Sequence, residues 1–178
     1  LPWAASIHAH LGNGDAAEIL LDTWRRTFTN RGYGTEHNAR FSGVSLMGNR
    51  SFGHDPNAEH RESMQMDAPM GCLAATMDLL LTDCDDVHTL FPAVPASWDH
   101  ADFDGFHTTA GCRLSGRYEA GAVREFTVAG LRDGEIRIKN PWLDHPDLQP
   151  PADAGLDPQA AVFTIPFTAG RSRTIAAE

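Results

Sequence analysis

Hydrophobic and polar positions divide this chain into two halves with different periods. Pro2 to Leu11 has helical spacing, and "GNGD" (Gly12 to Asp15) predicts a tight turn with Asp15 as the N-cap of the next helix. Ala16, Ile19, Leu20, Trp24 and Phe28 then fall on one face of a second helix over 16–28, forming an αα-hairpin with the first. From Asn30 to Glu62 the pattern dissolves into Gly, Asn, His, Arg and Ser, a stretch long enough to suggest a functional loop or a linker. A third helix is predicted over about 69–82, with Met70, Leu73, Ala74, Met77, Leu80 and Leu81 on one side and "TDCDD" ending it. Gly71, Ala74 and Ala75 permit close packing of that helix.

Beyond residue 86 the period changes. "VHTLFPAVPASW" is extended, because its two prolines forbid helix. "HTTAGCRLSGRYEAG", "REFTVAGLRDGEIRIK" and "AVFTIPFTAG" have strand character, and Asp133-Gly134 between alternating runs predicts a β-hairpin. Residues 140–160 hold five prolines and read as a surface loop. The expected organisation is α+β by segment, helices over 1–86 and strands over 87–178.

Composition narrows the chemistry. A net charge of -10 with no basic cluster beyond Arg25-Arg26 argues against nucleic acid or an anionic membrane surface as partner, whereas a neutral sugar meets no such objection. No apolar run reaches the roughly 18 residues of a membrane span. Three cysteines without a CxxC pair form neither a disulfide framework nor a zinc knuckle, and Cys72 reads as a packing residue. Among nine histidines none lies in an HExxH motif. His8 and His10, two apart on a helix, point in different directions. His54, Asp55, Glu59, His60 and Glu62 crowd one stretch; a metal site there is the alternative to a solvated polar loop, which is preferred. No cofactor motif is present. Trp98 and Trp142, in loops, either stack on sugar or fill gaps between units.

"MQMDAPMGC" contains the most informative carboxylate, Asp67. One reading makes it a helix N-cap, with Pro69 in the first turn where a missing N–H costs nothing. The other makes it an acid at the edge of an active site.

The ordered set "WAASIHAHLGNGDAAEILL", "TNRGYG", "MQMDAPMGCLAATMDLLL", "VHTLFPAVPASW" and "GFHTTAGCRLSGRY" resembles glycoside hydrolase family 95, the α-L-fucosidases and α-L-galactosidases, over most of residues 3–140. The resemblance implies that 1–86 are the closing helices of an (α/α)6 barrel and 87–178 an appended antiparallel β-sandwich. It implies an inverting exo-glycosidase acting on oligosaccharides without a cofactor, in an extracytoplasmic setting. In the family an acid protonates the leaving oxygen while water attacks the opposite face. That water is held by asparagines, which an aspartate polarises; Asp67 stands at the matching position. Gln65 matches the motif's glutamine, and His60 lies one position from the family's histidine, so both are carried over as substrate-binding. Ala68-Pro69 replaces the family's Gly-Asn. The general acid and the asparagine pair belong upstream of residue 1. The expectation is therefore a segment inactive alone, partnered by an upstream barrel, with apolar helix faces left exposed. The alternative is a non-catalytic carbohydrate-binding or structural module.

Overall fold

The computed structural model describes residues 1–28 and 67–178. Among them are three helices and two mostly antiparallel sheets of four strands each.

Helix α1 (Pro2–His10) opens on a proline, whose missing N–H is one that a first turn leaves unpaired anyway. Its buried face is Pro2, Ala5 and Ala9, small enough to let neighbouring helices approach closely. Gly12, at φ +74°, turns the chain into α2 (Gly14–Phe28). The cap of α2 is Asn13, not Asp15 as expected. Asn13 Oδ1 accepts the Ala16 N–H at 3.2 Å, and its carbonyl accepts that of Ala17. Asp15 lies inside the first turn and reaches across to accept the Ala96 N–H at 2.7 Å. Helix α3 (Asp67–Leu80) packs on α1 through Ala75 and Leu79, which join Ala5, Ala9, Ala17 and Ala93 in a small helical core. The side bearing Met70, Leu73 and Met77 faces outward.

Helix α3 ends at Leu80, and "TDCDD" does more than terminate it. Strands β1 (Leu81–Cys84) and β2 (Val87–Leu90) form a tight hairpin. Its two turn residues, Asp85 and Asp86, both have positive φ, 51° and 61°. Two-residue hairpin turns of this kind match the strand twist, and aspartate tolerates them better than most side chains.

The remaining strands are β3 (His100–His107), β4 (Cys112–Glu119), β5 (Ala122–Gly130), β6 (Gly134–Lys139), β7 (Val162–Phe167) and β8 (Ser172–Ala176). One sheet has the order β1-β2-β6-β7 and the other β3-β4-β5-β8. Among the described strands only the β2–β6 pair is parallel. Alternate residues of both sheets enter one hydrophobic cluster: Ile136, Ile138, Phe163 and Ile165 from the first, Leu114, Phe126, Val128 and Ile175 from the second.

Asp133-Gly134 does not close the expected hairpin, because β5 and β6 lie in different sheets. Residues 131–133 carry the chain from one sheet to the other. The β7–β8 connection crosses at the same place. Gly130 donates its N–H to Arg171 and accepts that of Gly170, both at 2.9 Å. A Cβ on Gly130 would stand 2.3 Å from the Thr168 carbonyl oxygen, so the two crossings touch only because this residue has no side chain. Asp133 Oδ1 secures the second crossing by accepting the Ala169 N–H at 2.9 Å.

The proline-rich stretch is anchored inward. Trp142 is buried beside Phe126 and Phe163, and its Nε1 donates to the Val123 carbonyl at 2.8 Å. Asn140 donates to the carbonyls of Pro158 and Ala160 and accepts the Trp142 N–H, closing the loop on itself. The buried indole therefore serves as a packing residue and offers no surface to a sugar.

The β2–β3 connection joins the helices to the sheets. Phe91 enters the sheet core and Ala93 the helical core. Glu18 on α2 accepts from Ser97 Oγ and, at 2.8 Å, from Trp98 Nε1. Trp98 is thus half-buried at this joint, the gap-filling role of the two expected for it.

Candidate functional site

Asp67 is the first residue of α3 and is exposed. A carboxylate in the first turn is favoured by the helix dipole, whose positive end it faces. Gly71, one turn on, packs close to α1: a Cβ there would meet Pro2 Cβ at 3.3 Å. Gln65 and His60 lie outside the described residues, as do His54, Asp55, Glu59, Glu62 and the rest of the 30–62 loop.

A separate cavity of about 370 Å³ opens near the other end of α3. With a rise of about 1.5 Å per residue, Met77 lies roughly 15 Å along the helix axis from Asp67. The cavity is bounded by His10 of α1, Met77 and Asp78 of α3, the β1–β2 hairpin, and the end of β3 with the turn that follows it. Its polar wall holds Asp78, Asp83, His10, His88 and His107, and its apolar wall Ala74, Met77, Leu81 and Phe106. Of the two histidines on α1, His10 reaches the cavity and His8 does not line it.

Two polar groups are set by the fold. Asp78 accepts a hydrogen bond from Ser6 Oγ, and its Oδ2 stands 3.6 Å from His10 Nε2. His88 is 3 % exposed, and its Nδ1 lies 3.3 Å from the Arg137 carbonyl. A carbonyl only accepts, so the proton of that bond sits on Nδ1, and a neutral ring then presents Nε2 as a bare acceptor. His88 Nε2 is buried with no hydrogen-bond partner.

Sequence reasoning singled out none of Asp78, Asp83, His88 and His107. One signal was available: in "VHTL" the alternation that buries Leu90 also buries His88, a polar side chain at a core-facing position. That His88 and Asp78 line one cavity is a tertiary fact and leaves no local trace.

The cysteines are free. Burial pushes the Cys72 thiol up to about 11, which keeps it protonated and unreactive at neutral pH, as a packing role requires. Burial also raises Cys112, partly offset by its hydrogen bond with Thr108. Among the described residues no group of three or more His, Cys, Asp or Glu is arranged to hold a metal ion, and no helix is long and apolar enough to cross a membrane.

No protein-family model and no curated protein matches the chain.

Proposed function

We propose that this chain is the C-terminal portion of an inverting exo-glycosidase for α-L-fucosides or α-L-galactosides. Its helices close an (α/α)6 barrel and its two sheets form the appended β-sandwich. The observation that carries this reading is the outward apolar surface of the helices. Trp3, Ile7 and Leu11, spaced four apart along α1 and its C-cap, are 84 %, 57 % and 74 % exposed. Met70 and Leu73 on α3 are 59 % and 56 % exposed. Burying each such side chain is worth roughly 1.5–3 kcal/mol, so neighbouring barrel helices would gain substantially by covering them.

In this reading Asp67 accepts a hydrogen bond from an amide N–H of an upstream asparagine, making the amide oxygen a better acceptor for the proton of the attacking water. Its place at the start of α3 suits the task, since the helix dipole favours the ionised acceptor. The segment has no general acid of its own in this scheme and is inactive alone. Its partners are the upstream barrel and an oligosaccharide substrate.

The test is made in the polypeptide extended upstream of residue 1. Asp67→Asn should lower turnover on an α-L-fucoside about 100-fold or more while leaving helix content unchanged. Intact turnover with a lowered melting temperature would reduce Asp67 to a structural residue. A reading frame opening near residue 1 would end the proposal.

A further inference from the structure

We propose that Asn13 is a deamidation site and that its isoaspartyl product loosens the joint between the helices and the sheets. The inference rests on the Asn13-Gly14 turn and its packing, not on the glycosidase reading.

The first argument is chemical selectivity. An asparagine loses ammonia when the main-chain nitrogen of the next residue attacks its side-chain Cγ. The new C–N bond closes a succinimide ring, and Nδ2 leaves with the amide proton as ammonia. Water then opens the ring at one of its two carbonyls. Opening at Cγ gives aspartate. Opening at the main-chain carbonyl leaves the chain running through Cγ, which is isoaspartate. Water is the only other reactant. A side chain on the attacking residue obstructs ring closure, and proline has no N–H to lose. Asn13 alone precedes a glycine; the other asparagines precede Arg31, Ala39, Arg50, Ala58 and Pro141.

The second argument is the place of Asn13 in the fold. Its side chain is exposed. Gly14 is the first residue of α2, so its N–H is one for which the helix has no acceptor. What restrains Asn13 is its role as cap. Its N–H donates to the His8 carbonyl at 2.8 Å, its carbonyl accepts the Ala17 N–H at 3.2 Å, and Oδ1 accepts the Ala16 N–H at 3.2 Å. The side chain must leave Ala16 before Cγ can meet the Gly14 nitrogen. That bond is long and exposed, and helix ends open locally at small cost. Deamidation is therefore slowed by the fold and not forbidden by it.

The third argument is that the two products differ in consequence. Aspartate caps a helix as well as asparagine does, and its charge faces the positive end of the helix dipole. Isoaspartate instead adds a methylene to the main chain, about 1.5 Å of extra length ahead of Gly14. Gly14 is buried with no room to move inward: a Cβ there would stand 2.3 Å from the Ala93 carbonyl oxygen and 2.7 Å from Pro95 N. The contacts that fasten α2 to the β2–β3 connection follow directly behind it. Asp15 accepts the Ala96 N–H, and Glu18 accepts from Ser97 and Trp98. Displacing the start of α2 pulls on all of them.

The experiment incubates the full chain beside a synthetic peptide of residues 9–18 at mildly alkaline pH. Product is counted by peptide mapping with mass spectrometry and by isoaspartyl methyltransferase labelling. Asn13 should convert about 10–100-fold more slowly in the chain than in the peptide, the ratio being set by opening of the first turn. Asp15→Ala removes the acceptor of the Ala96 N–H and should narrow that ratio about 3-fold, measured against a peptide with the same change. The deamidated chain, separated by anion exchange on its added charge, should hold an isoaspartyl fraction whose urea midpoint lies about 1 M or more below that of Asn13→Asp. The proposal is overturned by equal rates in chain and peptide, by an unreacted Asn13 after about a hundred peptide half-lives, by a ratio that Asp15→Ala leaves unmoved, or by an isoaspartyl fraction as stable as Asn13→Asp.

Discussion

Gly14→Ala tests how the helices are joined to the sheets. Gly14 opens α2 with an ordinary negative-side backbone, so it is needed for space and not for conformation. An added Cβ would lie 2.3 Å from the Ala93 carbonyl oxygen and 2.7 Å from Pro95 N. Both are backbone atoms in a connection stiffened by two prolines, so no side chain can swing aside. Relief requires the start of α2 to retreat by about 1 Å, to reach an ordinary van der Waals separation. That shift would stretch the 2.7 Å bond from Ala96 N–H to Asp15 to about 3.7 Å, beyond hydrogen-bond range. Overpacking costs about 1–3 kcal/mol, and a lost hydrogen bond to a charged group up to about 1.5–3 kcal/mol, less where it is exposed. The smaller entropy of the unfolded alanine chain returns about 0.4–1 kcal/mol. The expected net loss is about 3 kcal/mol. In urea, with a slope near 2 kcal/mol/M, the midpoint should fall by about 1.5 M. Trp98, tied to the same helix through Glu18, should report the displacement by fluorescence. Gly121→Ala is the control, because Gly121 has φ +82° but nothing within 4 Å, and should lose only about 1–2 kcal/mol from backbone strain. A Gly14→Ala protein within about 0.5 kcal/mol of the parent would refute the steric argument.

Other outcomes follow from single contacts. Trp142→Phe leaves the Val123 carbonyl without its indole donor and opens a void between Phe126 and Phe163, so stability measured in denaturant should fall by about 2–4 kcal/mol. With a thiol reagent at neutral pH, exposed Cys84 should react first, and buried Cys72 and Cys112 only as the protein opens. Because folding raises the Cys72 pKa from 9.0 to about 11, its contribution to stability is whole below pH 9 and is lost as pH climbs to about 11. Cys72→Ala should show a shallower loss over that window, and parallel curves would contradict the burial argument. Trp3→Glu should reduce self-association in sedimentation while changing stability by less than about 0.5 kcal/mol, since Trp3 is 84 % exposed.

Local chemistry determined much of this protein on its own. Pro2, the "GN" turn, the helical spacing of 16–28 and the alternation in "VFTIPF" each specify an element through constraints that act within a few residues. The order of a helical half followed by a sheet half was legible for the same reason. Asp67 was also visible, because a carboxylate before "AP" at a helix start is a local pattern, though its neighbours Gln65 and His60 fall outside the described residues. Tertiary structure decided the rest. Whether "RDG" closes a hairpin or crosses between sheets depends on the partners of β5 and β6, which are β4 and β8 on one side and β2 and β7 on the other. Whether Met70, Leu73 and Met77 or Ala75 and Leu79 form the inner face of α3 depends on the small residues of α1. The cavity needs side chains from residue 10 to residue 109, and nothing near His88 in the chain announces Asp78. Local pattern selects an element because backbone sterics and side-chain period act at short range. The choice of neighbour is made by packing among residues far apart in sequence, and the cavity exists only where those choices meet.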